Sequence, residues 1–262
     1  MAAYRLFVFD LDGTLYRGEE PMPGAREKLS EIRFQGSLVR FVTNNSGATR
    51  RGVVAKLAGM GITAEEREVL TSGHAAAGLL VERRVQTVFV VGDPGLLETL
   101  LECGIEAVNR GRDGTAGASA SKDAQAVVVG ICRAFGYPLL AEAMQRVRTG
   151  ALFVATNLDA SYPAERGQLA PGAGAIVAAV QACSGVKPVL AGKPDGRLLR
   201  MILEDTGCRP EETLVVGDRL ETDMEWGRAA GCATHLVLTG VADSPPDGQS
   251  WSQDLAGLPM SG

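Results

Sequence analysis

The chain has 262 residues, 45% of them apolar and 22% charged, with a formal net charge of −5 and a pI near 5.2. That length buries a full core, as one large domain or two smaller ones, and the acidic balance gives no general attraction to nucleic acid or to an anionic membrane. No stretch is apolar for long enough to cross a bilayer, and Met1-Ala2-Ala3-Tyr4-Arg5 leaves no room for a signal peptide, so a cytoplasmic protein is expected.

The first predicted element is a strand over Arg5–Asp10, because Leu6-Phe7-Val8-Phe9 is a continuous apolar run of the kind buried in parallel sheets. It ends in Asp10-Leu11-Asp12-Gly13-Thr14-Leu15. Carboxylates are seldom buried without a partner. Two of them at a strand's C-terminal end point to chemistry at the edge where open α/β sheets place ligands; turn capping is the alternative for either one alone.

A helix over Gly24–Arg33 and a strand over Leu38–Thr43 follow, the strand delivering Thr43 into Asn44-Asn45-Ser46-Gly47 ahead of a helix over Thr49–Gly59. Hydroxyl and backbone N–H groups in such a place can bind phosphate oxygens, although capping of the turn and helix is the commoner use of Asn and Ser there. Strands over Thr87–Gly92, Gln125–Gly130 and Ala151–Ala155 then alternate with helices over Gly73–Arg84, Leu96–Cys103, Tyr137–Arg148 and Pro171–Cys183. Gly111–Ala120 reads as a flexible Gly/Ala/Ser excursion.

The strand Pro188–Ala191 leads into Gly192-Lys193-Pro194. A lysine held at a strand end by Gly and Pro can offer a fixed positive charge to a phosphoryl group or a buried carboxylate. The phosphate-loop spacing GxxxxGK[ST] is absent, and a surface lysine is the plain alternative. After a helix over Asp195–Thr206, the strand Thr213–Gly217 ends in Gly217-Asp218-Arg219-Leu220-Glu221-Thr222-Asp223. Carboxylate oxygens are the ligands Mg²⁺ prefers. Asp223, at the start of a helix over Thr222–Ala230, is also explained as a dipole partner, whereas Asp218 sits on the strand side of the turn. A strand over Thr234–Leu238 precedes Ala242–Gly262, where Pro245-Pro246 and small polar residues suggest a loosely attached tail.

Alternation of this kind predicts α/β architecture with largely parallel sheets and right-handed crossovers. The surplus of strands predicts two modules. Five scattered cysteines (Cys103, Cys132, Cys183, Cys208, Cys232) without a CxxC pair indicate reduced thiols, neither a disulfide frame nor a zinc site. With His74 and His235 as the two histidines, a His-rich metal centre is excluded and structural roles are expected for both. Gly172-Ala173-Gly174 lacks the third glycine of a dinucleotide fingerprint.

Asp10-Leu11-Asp12-Gly13-Thr14-Leu15, Thr43-Asn44-Asn45, Gly192-Lys193-Pro194 and Gly217-Asp218-Arg219-(x)2-Thr222-Asp223 together resemble, in order, the four motifs of haloacid dehalogenase (HAD) superfamily phosphatases. The Asn-Asn and Gly-Asp-Arg forms, with Ala155-Thr156-Asn157-Leu158-Asp159 and Pro171-Gly172-Ala173-Gly174, are similar to the class IIA branch, NagD and 4-nitrophenylphosphatase-like. The resemblance covers roughly Tyr4 to Ala242. It implies a Rossmann-like, HAD-like parallel-sheet core over 1–80 and 186–262, with an inserted α/β cap of the C2 type over 81–185 that sets substrate specificity.

The same resemblance implies a Mg²⁺-dependent phosphomonoester hydrolase acting on a small phosphorylated metabolite. Asp10 is then the nucleophile and Asp12 the general acid/base. Thr43, Asn44, Asn45 and Lys193 hold the phosphoryl group and its charge. Asp10, the Asp12 carbonyl, Asp218 and Asp223 form the metal site, Asp223 as a ligand or as the partner of one. Tyr162, in the loop Asn157–Pro163, is the candidate substrate contact, against ordinary loop packing beside a proline. A homodimer is expected because capped relatives often pair. One departure stands out: relatives often carry Gly-Phe-Asp where this chain has Gly130-Ile131-Cys132-Arg133. A catalytically idle phosphoryl-ligand binding or regulatory protein on the same fold is the rival reading, opposed by the presence of both a nucleophile and an acid.

Overall fold

A computed structural model of the chain describes residues 4–111, 113–118, 123–163 and 169–261. In chain order the first elements are β1 (Leu6–Asp10), β2 (Tyr16–Arg17), β3 (Glu20–Pro21), α1 (Ala25–Phe34), β4 (Leu38–Thr43), α2 (Arg50–Gly59) and β5 (Val69–Thr71). Next come α3 (Ser72–Glu82), β6 (Thr87–Val91), α4 (Pro94–Glu102), β7 (Glu106–Ala107), β8 (Ala126–Val129), α5 (Tyr137–Arg148) and β9 (Leu152–Ala155). The hairpin strands β10 (Ser161–Pro163) and β11 (Leu169–Pro171) lead to α6 (Ala173–Ser184) and β12 (Val189–Leu190). The chain closes with α7 (Arg197–Thr206), β13 (Thr213–Gly217), α8 (Glu225–Ala229), β14 (Ala233–Val237) and β15 (Trp251–Ser252). No described helix is long and apolar enough to cross a membrane.

The chain divides into two compact units, one of Met1–Thr43, Arg50–Leu70 and Lys193–Gly262, the other of Asn44–Thr49 and Thr71–Gly192. Residues 81–185, expected as an inserted module, lie within the second.

A six-stranded sheet, β15-β14-β13-β1-β4-β5, organises the first unit. β1 pairs in parallel with β13 on one side and β4 on the other, and β14 and β15 continue the sheet in parallel. Leu6, Phe7, Val8 and Phe9 are all fully buried, as a strand covered on both faces requires. At roughly 1.5–3 kcal/mol per large apolar side chain, that burial anchors β1 firmly enough to present a carboxylate at its end. Strand order reverses at β1: the chain runs outward to β4 and β5, then returns on the other side as β13. A reversal of this kind opens a crevice outside the strand carboxyl ends. Here it lies between Asp10 and Gly217.

The second unit carries a five-stranded parallel sheet, β12-β9-β8-β6-β7. Phe89, Val91, Val127, Val129, Phe153 and Ala155 pack with Leu139, Ala143 and Val147 of α5 and with Ile176, Val177 and Val180 of α6. Two mixed α/β layers, each on its own parallel sheet, therefore account for the surplus of strands.

Two expectations are corrected. The helix expected over Thr222–Ala230 is a π-helical turn, Leu220–Met224, followed by the short α8. The wider turn lets Asp223 face inward, a use typical of π turns at functional sites. Nor is the C-terminal stretch loose. β15 extends the sheet beside β14, and Leu255 and Leu258 are buried. Pro245-Pro246 marks a turn, and the apolar residues beyond it are too widely spaced to read as an element.

None of the five cysteines is in a disulfide. His74 accepts the Thr71 backbone N–H at its own helix start, and His235 lies between the Ser250 and Ser252 hydroxyls, so both histidines are structural. Of the excursion expected over 111–120, residues 112, 119 and 120 lie outside the described residues; the Asp113 carboxylate turns the described part by accepting the Thr115 N–H.

Candidate active site

β1 and β13 run side by side with Phe9 opposite Val216, which sets Asp10 beside Gly217 and places Asp218 just past the strand end. On the other flank Asp10 pairs with Val42, leaving Thr43 one residue further along β4, buried. Lys193 reaches the same place from a distant part of the chain. Its Nζ donates to Asp10 Oδ1 at 2.5 Å and to Asp223 Oδ1 at 2.6 Å. Trp226 backs the ammonium with its ring centroid 5.8 Å away, and its indole N–H is fixed on the Asp195 carbonyl at 2.9 Å.

Burial disfavours the charged form of Lys193, but the two carboxylates outweigh it and hold its pKa above the ordinary lysine range. The ammonium therefore stays charged. Asp10 is pushed well above the usual carboxylate range by burial, partly opposed by Lys193 and reinforced by Asp223 and Asp218. Asp218 is pushed up to about 6, first by burial and then by the Asp223 charge.

Three carboxylates against one ammonium leave this cluster with two excess negative charges when all are ionised. Asp10, Asp218 and Asp223 each bring a carboxylate oxygen within 4.8 Å of the others. Asp218 Oδ2 accepts the Val241 N–H at 2.8 Å, whereas Oδ1 is buried with no partner. A buried carboxylate oxygen without a donor is costly. A divalent cation would satisfy that oxygen and balance the surplus charge, and hard oxygen donors are what Mg²⁺ takes. The residues fit the ion. Asp223 is differently placed: Oδ1 receives Lys193 and Oδ2 receives the Arg219 N–H at 3.1 Å. Both of its oxygens already accept a hydrogen bond.

Two glycines let these acids meet. Gly13 has φ of +90°, and a Cβ there would stand 2.5 Å from Asp218 Oδ2. At Gly217 a Cβ would collide with the Asp223 side chain.

Asp12 reaches solvent, and the protein mass packed around it still raises its pKa, opposed by Lys56 and by a hydrogen bond from Tyr16. An acid at an open edge can give up and take back a proton.

The remaining candidates belong to the second unit. Asn44 donates from Nδ2 to Asp159 at 3.1 Å, and its carbonyl accepts from Ser72 and Asn157. Asn45 uses its side-chain oxygen to accept the Gly47 N–H at 2.9 Å, the turn-capping role allowed for above. Tyr162 is half-buried on β10, paired opposite Ala170, and interacts with Arg133. Arg133, the residue that departs from the expected pattern, pairs with Asp93, so its charge is already matched. Sequence reasoning missed Tyr16, Lys56, Trp226 and Val241. Val241 acts through its backbone N–H, for which no residue-type signal exists.

Residues 7–106 match the family described as haloacid dehalogenase-like hydrolase, and residues 190–254 match one described as HAD-hydrolase-like. The chain is 39% identical over 236 residues to D-glycerol 3-phosphate phosphatase of Mycobacterium tuberculosis, covering 89% of this chain and 63% of that protein. It therefore spans less than two thirds of that relative's length. To 5'-nucleotidase YutF of Bacillus subtilis it is 36% identical over 242 residues, covering 92% of this chain and 90% of the relative. The solved glycerol phosphate phosphatase from Mycobacterium tuberculosis in complex with magnesium superposes with a TM-score of 0.86 at 36% identity, over 98% of this chain and 78% of that one. NagD from Escherichia coli K-12 superposes with the same TM-score at 29% identity, over 99% and 100%.

Proposed function

The chain belongs to the haloacid dehalogenase-like hydrolase family, and from that premise we propose that it is a Mg²⁺-dependent phosphatase of small phosphorylated metabolites, working through an aspartyl-phosphate on Asp10. Asp10 attacks phosphorus in line and the ester oxygen departs. Asp12 protonates that oxygen, then takes a proton from the water that hydrolyses the acyl phosphate. A halide leaves without a proton, whereas an alkoxide does not, so an acid at Asp12 suits phosphate esters.

Thr43 and the Asn44 and Asn45 segment hold the non-bridging oxygens, and Lys193 offsets charge on Asp10 and on the group in transfer. Asp10, the Asp12 carbonyl and Asp218 would hold Mg²⁺, which would supply charge neutralisation at the reacting group. Asp223 holds Lys193 in place.

The observation that carries this reading is the unpartnered, buried Asp218 Oδ1 beside the Asp10–Lys193 pair. A phosphate-release screen over a phosphometabolite panel with Mg²⁺ tests it. Release from at least one ester is expected, with Asp10→Asn lowering it by about 10³-fold or more. Absence of Mg²⁺-dependent release from every substrate, aryl phosphate included, favours the idle binding protein.

Residues 81–185 act as the cap that selects the substrate, with Tyr162 as a contact. The scattered cysteines, none in a disulfide, support a reducing, cytoplasmic setting. A homodimer is the assembly in view, and light scattering on the purified chain tests it.

A further inference from the structure

We propose that Tyr16 is a positioning residue for Asp12, its phenol hydroxyl fixing the carboxylate in the rotamer from which it exchanges protons. The inference rests on the acid/base reading of Asp12 given above.

Asp12 reaches solvent, and an exposed carboxylate samples several staggered rotamers. A general acid must instead stand within about 3 Å of one oxygen, and misplacement by about 1 Å costs on the order of 10²-fold. Tyr16 OH donates to Asp12 Oδ2 at 3.4 Å, longer than the roughly 2.5–3.0 Å usual for a hydroxyl hydrogen bond.

What makes Tyr16 a built feature is how firmly its own ring is held. It is 4% exposed. Lys56 Nζ lies 4.1 Å from the ring centroid, a cation–π contact, and Lys56 also pairs with Glu19 at 3.7 Å. The main chain that plants the ring is the turn that carries Asp12: Tyr16 N–H donates to the Leu11 carbonyl, and the Gly13 N–H donates to the Tyr16 carbonyl at 2.9 Å. Arg17, next in β2, donates to the Thr239 carbonyl at 2.6 Å, and the Thr239 hydroxyl returns to the Gly13 carbonyl at 2.7 Å. Burial, then the neighbouring carboxylates, keep the phenol above its ordinary pKa, so it remains a donor.

The test uses leaving groups. For each variant, kcat/KM is measured for an alkyl phosphate from the release panel and for 4-nitrophenyl phosphate, whose phenolate departs without a proton. Tyr16→Phe, which keeps the ring and deletes the hydroxyl, is expected to lower the alkyl value about 10-fold and the aryl value by less than about 2-fold, with an unchanged unfolding midpoint. Asp12→Asn should show the same preference more strongly, since a positioned acid contributes about 10²–10⁴-fold. Equal losses on both substrates, or none, in Tyr16→Phe while Asp12→Asn discriminates would overturn the proposal alone. No discrimination in Asp12→Asn would overturn the acid reading and the proposal with it.

Discussion

At Lys193 one ammonium serves two carboxylates, the part-buried Asp10 and the buried Asp223, with the lysine side chain 3% exposed. Removing the cation strands both acids, and breaking a buried pair in this way costs about 3–5 kcal/mol. Lys193→Ala is therefore expected to lower the urea midpoint strongly in the absence of metal, and adding Asp223→Asn should restore part of the loss by deleting one stranded charge. An unchanged midpoint would refute this account of the cluster. The acids and the lysine were visible in the sequence because each follows an apolar strand and is of a type that a phosphoryl site needs. Which oxygen each carboxylate leaves open was not visible. Asp218 Oδ1 is unpartnered only because the Val241 N–H takes the other oxygen and glycines admit the close approach.

β14 and the strand beside it show what an element gains from a distant neighbour. His235 on β14 is held between Ser250 and Ser252 at 2.8 Å each, and burial pushes its pKa from 6.5 down to about 4. Between those values the unfolded chain binds a proton that the folded chain does not. Stability is thus full above about pH 6.5 and falls as pH drops toward 4. In His235→Gln the loss of thermal midpoint between pH 7 and pH 5 should be smaller than in the parent; an equal loss would remove His235 from that role. β15 also shields the edge of β14, and Leu255 and Leu258 beyond it are buried. Deleting residues 249–262 exposes a strand edge and forfeits roughly 1.5–3 kcal/mol per leucine. The truncated chain should melt markedly lower and aggregate on heating. β15 has two residues, too few for a period to register, so the same stretch reads from sequence as a tail.

At the scale of the whole molecule, the site in the first unit is assembled from segments separated by the entire second unit, with Lys193 183 positions after Asp10. A cation held by Asp10 and Asp218 would bind only the folded chain and so would stabilise it by mass action, by about 2.7 kcal/mol at 100 times its Kd. Mg²⁺ should raise the unfolding midpoint in a concentration-dependent way, EDTA should reverse the rise, and Asp218→Asn should abolish it. The same rise in Asp218→Asn would place the ion elsewhere. The sequence by itself determined the alternation of strands and helices, the family, and the residue types at the strand ends, because apolar periodicity and motif spacing are local properties of the chain. Only the tertiary structure decided that Lys193 bridges Asp10 and Asp223, that Tyr16 meets Asp12, and that the last strand closes the sheet. Those contacts depend on how strands register and how side chains settle into each other's space, and neither is written in the spacing of residues along the chain.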